Sequence, residues 1–333
     1  MMFHPGILAL LLGSILTTSM LCYSAYEGLR IIRNWDITSG SELQLELERR
    51  TYLVSTVMSY TLGFQLLSLF LFIYTADTLS ALFIGAMCAA GSLKVNGFGY
   101  PALILKIVCF LLAGLWLIVN FTDNKAHDYP LIRVKYGLLL FIAPFLIAET
   151  CVQGGYLLSL RPDIITSCCG TLFTTDANTA ISDLLALPRP VSQAAFFISA
   201  PATMALGIHV YLKTKGAFLF SIASLIHFLI SIAALISFIS IYFYELPTHH
   251  CPFCILHPEY GFVGYFIYAA LLLCTVSGLG TGVIMPFRRI ESLQSVIPRI
   301  QKRLALISIL SNCVFVLIAG YGIMFSSLSM AAY

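Results

Sequence analysis

The residues best suited to chemistry lie in one run of ten, Thr248-His249-His250-Cys251-Pro252-Phe253-Cys254-Ile255-Leu256-His257. A Cys-x-x-Cys pair brings two sulfurs within bonding reach, and nearby positive charge lowers a thiol's pKa so that the thiolate can attack. His249, His250 and His257 could supply that charge. Disulfide exchange passes through a mixed disulfide, so a relay needs further sulfur within reach of the first pair. Ser167-Cys168-Cys169-Gly170 carries the other cysteines that fall in a loop, and four cysteines allow three pairings that spacing does not choose among.

The same side chains suit a soft metal. Cys168, Cys169, His249, His250, Cys251, Cys254 and His257 offer ligands for copper(I), zinc or mercury(II). Cys251, Cys254, His257 and one of Cys168 or Cys169 would complete a four-coordinate zinc site, although the spacing is not that of a Cys/His finger. A third use needs no reactivity at all: in an oxidising compartment these sulfurs could form static disulfides that pin the loops. The other six cysteines, Cys22, Cys88, Cys109, Cys151, Cys274 and Cys313, lie in apolar segments and read as small core residues.

Membrane helices must position these groups. Of 333 residues, 59% are hydrophobic and 10% charged, against roughly 25% charged in an ordinary soluble domain. The expected fold class is therefore all-α polytopic membrane protein, a single transmembrane helical domain over 1–333. Runs long enough to cross about 30 Å of hydrocarbon fall near 6–26, 52–75, 101–119, 136–158, 191–212, 217–244, 261–285 and 304–327, which makes eight helices. The first run has no Lys or Arg before it and reads as a permanent span rather than a secretory signal. A ninth apolar piece, 81–93, is short enough to be re-entrant or interfacial.

Eight spans place Arg30, Arg33, Arg49, Arg50, Lys125, Arg133, Lys135, Lys213, Lys215, Arg288, Arg289, Arg299, Lys302 and Arg303 on one side, fourteen of the 18 basic residues. Lys94, Lys106, Arg161 and Arg189 fall on the other. Were 81–93 to cross as well, the bias would vanish. The positive-inside rule thus selects eight spans with both termini outside and puts the loops 159–190 and 245–260 outside too. In a bacterium that is the periplasmic face of the inner membrane.

Ser39-Gly40-Ser41-Glu42 resembles a capping box leading into the second span. Ile290, Leu293, Ile297 and Ile300, at helical spacing among basic residues, suggest a helix lying on the membrane surface.

Inside the spans, Glu149 sits about 14 Å below the outer end of the fourth. An ionised carboxylate there is costly, so Glu149 should be paired, protonated against a neighbour such as Gln153, or part of a proton or ion path. His209 and His227 differ in depth by roughly 10 Å, which argues against two axial ligands of one haem; both read as packing residues, with a quinone contact at His227 as the other use.

Cys251-Pro252-Phe253-Cys254-Ile255-Leu256, followed by a span, resembles the redox motif of the DsbB-type disulfide-forming membrane proteins and the Cys-x-x-Cys of the vitamin K epoxide reductase family. The resemblance covers about ten residues. It implies that Cys251 and Cys254 exchange electrons with a quinone, and that a second outer pair, here Cys168 and Cys169, meets a thioredoxin-fold partner. The chain departs from those families in having more spans, in carrying His257 and Pro258 where a basic residue is expected, and in the adjacency of its second pair.

The expected function is a membrane thiol redox protein, with Glu149 handling protons and the flanking histidines tuning the thiols. The alternatives are a soft-metal transporter or chaperone, with Glu149, Cys109, Cys274 or Cys313 along its route, and a non-catalytic subunit of a larger membrane complex. No nucleotide site, protease constellation or nucleic-acid surface is evident.

Overall fold

The computed structural model describes residues 4–36, 39–161, 164–166, 189–246 and 249–327, and among these there are helices and turns but no strand. Eight helices are long and apolar enough to cross a membrane. The protein is an all-α polytopic membrane protein. The helices are α1 (Pro5–Asn34), α2 (Glu42–Ser80), the short α3 (Ala89–Lys94), α4 (Gly99–Asp123), α5 (Ile132–Leu158), α6 (Arg189–Lys213), α7 (Ala217–Ala234), α8 (Ser240–Tyr244), α9 (Val263–Val283) and α10 (Val296–Phe325). The 81–93 piece does not cross: it turns through 81–88 and winds only the six residues of α3.

Helices extend past several expected ends because polar residues cap and pair beyond the hydrocarbon. The cap of α2 is Ser41 rather than Ser39. Ser41 Oγ accepts from Gln44 N–H at 3.3 Å, while Ser39 Oγ accepts from Ser41 N–H. The basic segment 288–303 is likewise not one surface helix. It makes two 3-10 turns, Met285–Arg289 and Glu291–Leu293, before α10 begins, and Leu293, Ile297 and Ile300 are buried.

The chain divides into two compact units. The first comprises Met1–Ala76, Leu93–Pro162 and Pro286–Pro298. In it α5 packs on α1 and α4, over a core that includes Leu21, Met58, Trp116, Tyr136 and Leu146. Polar contacts set its register: Thr18 and Thr150 share a hydrogen bond at 2.6 Å, and Asp123 joins Lys135 at 2.7 Å while accepting from Leu131 N–H at 2.8 Å. Lys106 and Lys135, counted above as loop charges, are fully buried inside this unit.

The second unit comprises Asp77–Ser92, Asp163–Met285 and Arg299–Tyr333. Here α8 is the continuation of α7, and α9 packs along α7. Close approach follows from small residues, as is usual between membrane helices. A Cβ added at Gly282 would lie 2.5 Å from Ser221 Cβ, and one at Gly278 would collide with Ser224.

Candidate thiol site

The Cys-x-x-Cys segment hangs between α8 and α9 in the second unit, and an irregularity in the helix before it supplies one of its anchors. Between α7 and α8, Leu235–Ile239 forms a π-turn, which leaves carbonyls without their usual helical donors. Ser240 Oγ donates to Leu235 O at 2.7 Å, and His250 Nδ1 donates to Ile236 O at 3.2 Å. The chain leaves α8 at Glu245, whose φ of +55° is left-handed.

Two tyrosines then hold the backbone of the motif. Tyr244 Oη donates to the Cys251 carbonyl at 2.6 Å, and Tyr268 Oη of α9 donates to the Pro252 carbonyl at 2.6 Å. Cys254–Leu256 closes a 3-10 turn, with His257 N–H on Cys254 O at 3.1 Å. Tyr260 lies in the following turn. Burial pushes its phenol above the ordinary value, and negative charge on Cys254 and then Glu259 pushes in the same direction.

A third sulfur meets this pair. Cys88, immediately before α3, has its Sγ 3.4 Å from Cys251 Sγ, and with Cys254 the three sulfurs all lie within 4.8 Å of one another. The 3.4 Å separation is van der Waals contact, well beyond the roughly 2.05 Å of a disulfide. All three residues are buried, Cys88 and Cys251 completely and Cys254 at 8% exposure. Sequence reasoning placed Cys88 among the inert core cysteines. The available signal was that 81–93 did not cross, which leaves Cys88 on the same face as the 245–260 loop.

Asp77, near the end of α2, ties the two segments together. Its Oδ1 accepts from Ala89 N–H at 3.0 Å, at the start of α3, and from His257 Nε2 at 2.9 Å. One carboxylate oxygen thereby fixes Cys88, one residue before Ala89, relative to the end of the Cys-x-x-Cys turn. Asp77→Ala should lower stability by about 2 kcal/mol, the sum of a lost helix cap and a partly exposed ionic hydrogen bond. It should also speed alkylation of Cys88, read as the rate of maleimide labelling alongside a melting curve in detergent.

The other predicted site residues are engaged elsewhere. Among the described residues the metal-competent group is Cys88, Cys251 and Cys254, with no histidine in it. His249 packs edge-on against Tyr244 with ring centroids 4.7 Å apart, and His250 and His257 make the bonds given above. Cys168 and Cys169 lie outside the described residues. Of the six cysteines expected in the core, Cys88, Cys109 and Cys274 are buried, Cys313 is half-buried, and Cys22 and Cys151 are exposed.

His227 is closed within the second unit. Its Nε2 lies 3.1 Å from Asn312 Oδ1 and its Nδ1 3.0 Å from Ser199 Oγ. Asn312 Nδ2 donates to Ala200 O at 3.3 Å, so Oδ1 faces the ring, Nε2 carries the proton and Ser199 donates to Nδ1.

Glu149 belongs to the first unit and is paired with charge rather than with Gln153. Its Oε1 takes Lys106 Nζ at 2.7 Å and its Oε2 takes Gln65 Nε2 at 2.5 Å. Lys106 also donates to Ser68 Oγ at 2.7 Å and lies over the Phe72 ring. Gln153 points instead to α1, donating to Leu10 O at 3.1 Å.

Compared with models of known families, with curated proteins and with solved structures, the chain matches none.

Proposed function

We propose that this protein is a membrane thiol–disulfide redox protein whose centre is Cys251, Cys254 and Cys88, facing the outer side of a bacterial inner membrane. The observation that carries the reading is the position of Cys251, in contact with Cys88 and grouped with Cys254 in a single buried triad. From a Cys251–Cys254 disulfide, the Cys88 thiolate attacks Cys251. The Cys88–Cys251 bond forms as the Cys251–Cys254 bond breaks, and Cys254 leaves as thiolate and takes up the proton that Cys88 gave up. No electrons are gained or lost in that exchange, which moves the bridge inward and exposes the reactive end at Cys254, the least enclosed of the three.

Net turnover couples a thiol partner to the membrane. Two thiols becoming a disulfide release two electrons and two protons, and a quinone becoming a quinol takes up both. In this reading Cys168 and Cys169 meet an extracytoplasmic thioredoxin-fold protein. Soft-metal transport draws less support, because it needs ligands continuing through the membrane and the only such group among the described residues is the triad itself.

Thiol trapping across a series of dithiol/disulfide buffers tests the proposal. The metal-free protein should show two distinct bridged species, Cys251–Cys254 and Cys88–Cys251, that interconvert, and adding a short-chain quinone should oxidise the fully reduced form. A single bridge that resists mild reductants would sink the proposal in favour of a structural disulfide.

A further inference from the structure

We infer that the reduced triad is also a binding site for a soft d10 cation, zinc(II) or copper(I), held by the sulfurs of Cys88, Cys251 and Cys254. Tetrahedral zinc–thiolate bonds of about 2.3 Å put ligand sulfurs about 3.8 Å apart, and a flat three-sulfur site puts them about 4.0 Å apart. The triad brackets those values, with one pair at 3.4 Å and none beyond 4.8 Å. A set made only of thiolates selects soft and borderline cations over magnesium or calcium.

Burial favours the same occupant. A thiolate removed from water is costly unless it is paired or coordinated, and a cation at the centre of three buried sulfurs compensates all of them at once. The frame is already in place: Tyr244 and Tyr268 fix the Cys251 and Pro252 carbonyls, and Asp77 holds the start of α3 next to Cys88. Binding displaces the thiol protons to solvent. A sulfur bound to the cation cannot attack a disulfide, so occupancy and bridging exclude each other. The binding itself stands on the triad alone, whereas its consequence, a metal-blocked redox centre, rests on the function proposed above.

The test uses the full chain in detergent, reduced and stripped of metal, with zinc(II) and copper(I) each titrated against a chromophoric chelator. One equivalent should bind in the wild type and in the C168S/C169S variant. Cys88→Ala should weaken binding by more than about 100-fold, past the range seen on losing a supporting partner of a metal site. Cys22→Ser should leave binding unchanged. If Cys88→Ala fails to fold, protection of Cys88 in the wild-type protein from maleimide by the bound cation decides instead.

Binding that survives Cys88→Ala, that disappears in C168S/C169S, or that never reaches one equivalent overturns the inference. Quinone oxidation of the same sample separates the two claims. Metal binding without thiol cycling would remove the redox function and keep the site, and cycling without metal binding would do the reverse. Both together predict that one equivalent of metal stops the cycling.

Discussion

Lys106→Met is expected to destabilise the protein by about 3–5 kcal/mol, because it leaves the Glu149 carboxylate buried without its counter-charge. Both side chains are almost wholly enclosed, at 0% and 1% exposure, and a bilayer offers no water to compensate. Glu149→Gln should cost less, since a lone buried lysine can shed its proton and still accept or donate through Ser68. The K106M/E149Q pair should regain most of the loss, as replacing both members of a buried ion pair often comes near to neutral. Melting in detergent of the two single variants and the double variant measures the coupling.

The double variant also decides whether Glu149 moves protons. Both of its carboxylate oxygens are occupied, by Lys106 and by Gln65, so proton transfer through it would require breaking an ion pair. Thiol cycling is therefore expected to persist in K106M/E149Q. If cycling stops in a double variant that melts like the wild type, the proton role expected from the sequence is restored.

The second large effect is expected at Cys251. Cys251→Ser should abolish both bridges at once, because Cys251 is the sulfur common to them. Cys88→Ser should keep Cys251–Cys254, and Cys254→Ser should hold Cys88–Cys251 without release. Serine is close in size to cysteine, so packing at these buried positions is little disturbed. Non-reducing mass analysis after maleimide capture distinguishes the three patterns. A Cys251→Ser protein that still forms a Cys88–Cys254 bridge and still cycles would show that Cys251 is not the hub.

The architecture was readable because lipid imposes it. Eight apolar runs gave eight helices, and the charge bias correctly kept 81–93 from counting as a ninth. Helix ends were less readable, since Glu27, Glu46 and Arg50 extend helical structure with ion pairs that a hydropathy window excludes. Lys106 was misplaced for a related reason. A lysine near the start of an apolar run looks like a loop charge, and only its partner, 43 residues away in sequence, reveals it as buried.

The reactive pair was legible from spacing, but the third sulfur was not. Cys88 and Cys251 are 163 residues apart, and their contact depends on Asp77 and on the turn that brings 81–93 back toward the Cys-x-x-Cys segment. The histidines misled in the opposite direction. Adjacent in sequence to the cysteines, they turn to Ile236, Tyr244 and Asp77, because neighbours along a tight turn point in different directions.

The π-turn at Leu235–Ile239 has a further consequence for how this chain tolerates changes in length. It amounts to one residue more than a regular helix needs. Deleting any one residue there would restore an unbroken α-helix and carry all that follows about 100° around the axis and about 1.5 Å along it. The shortened segment would still be long and apolar enough to insert. Tyr244 would nevertheless face away from the Cys251 carbonyl, and the acceptor that now anchors His250 would be taken up by the helix. Between Ala217 and Tyr244, then, the membrane constrains only length and polarity, whereas the chemistry beyond constrains phase, and a single-codon deletion would leave the first intact while discarding the second.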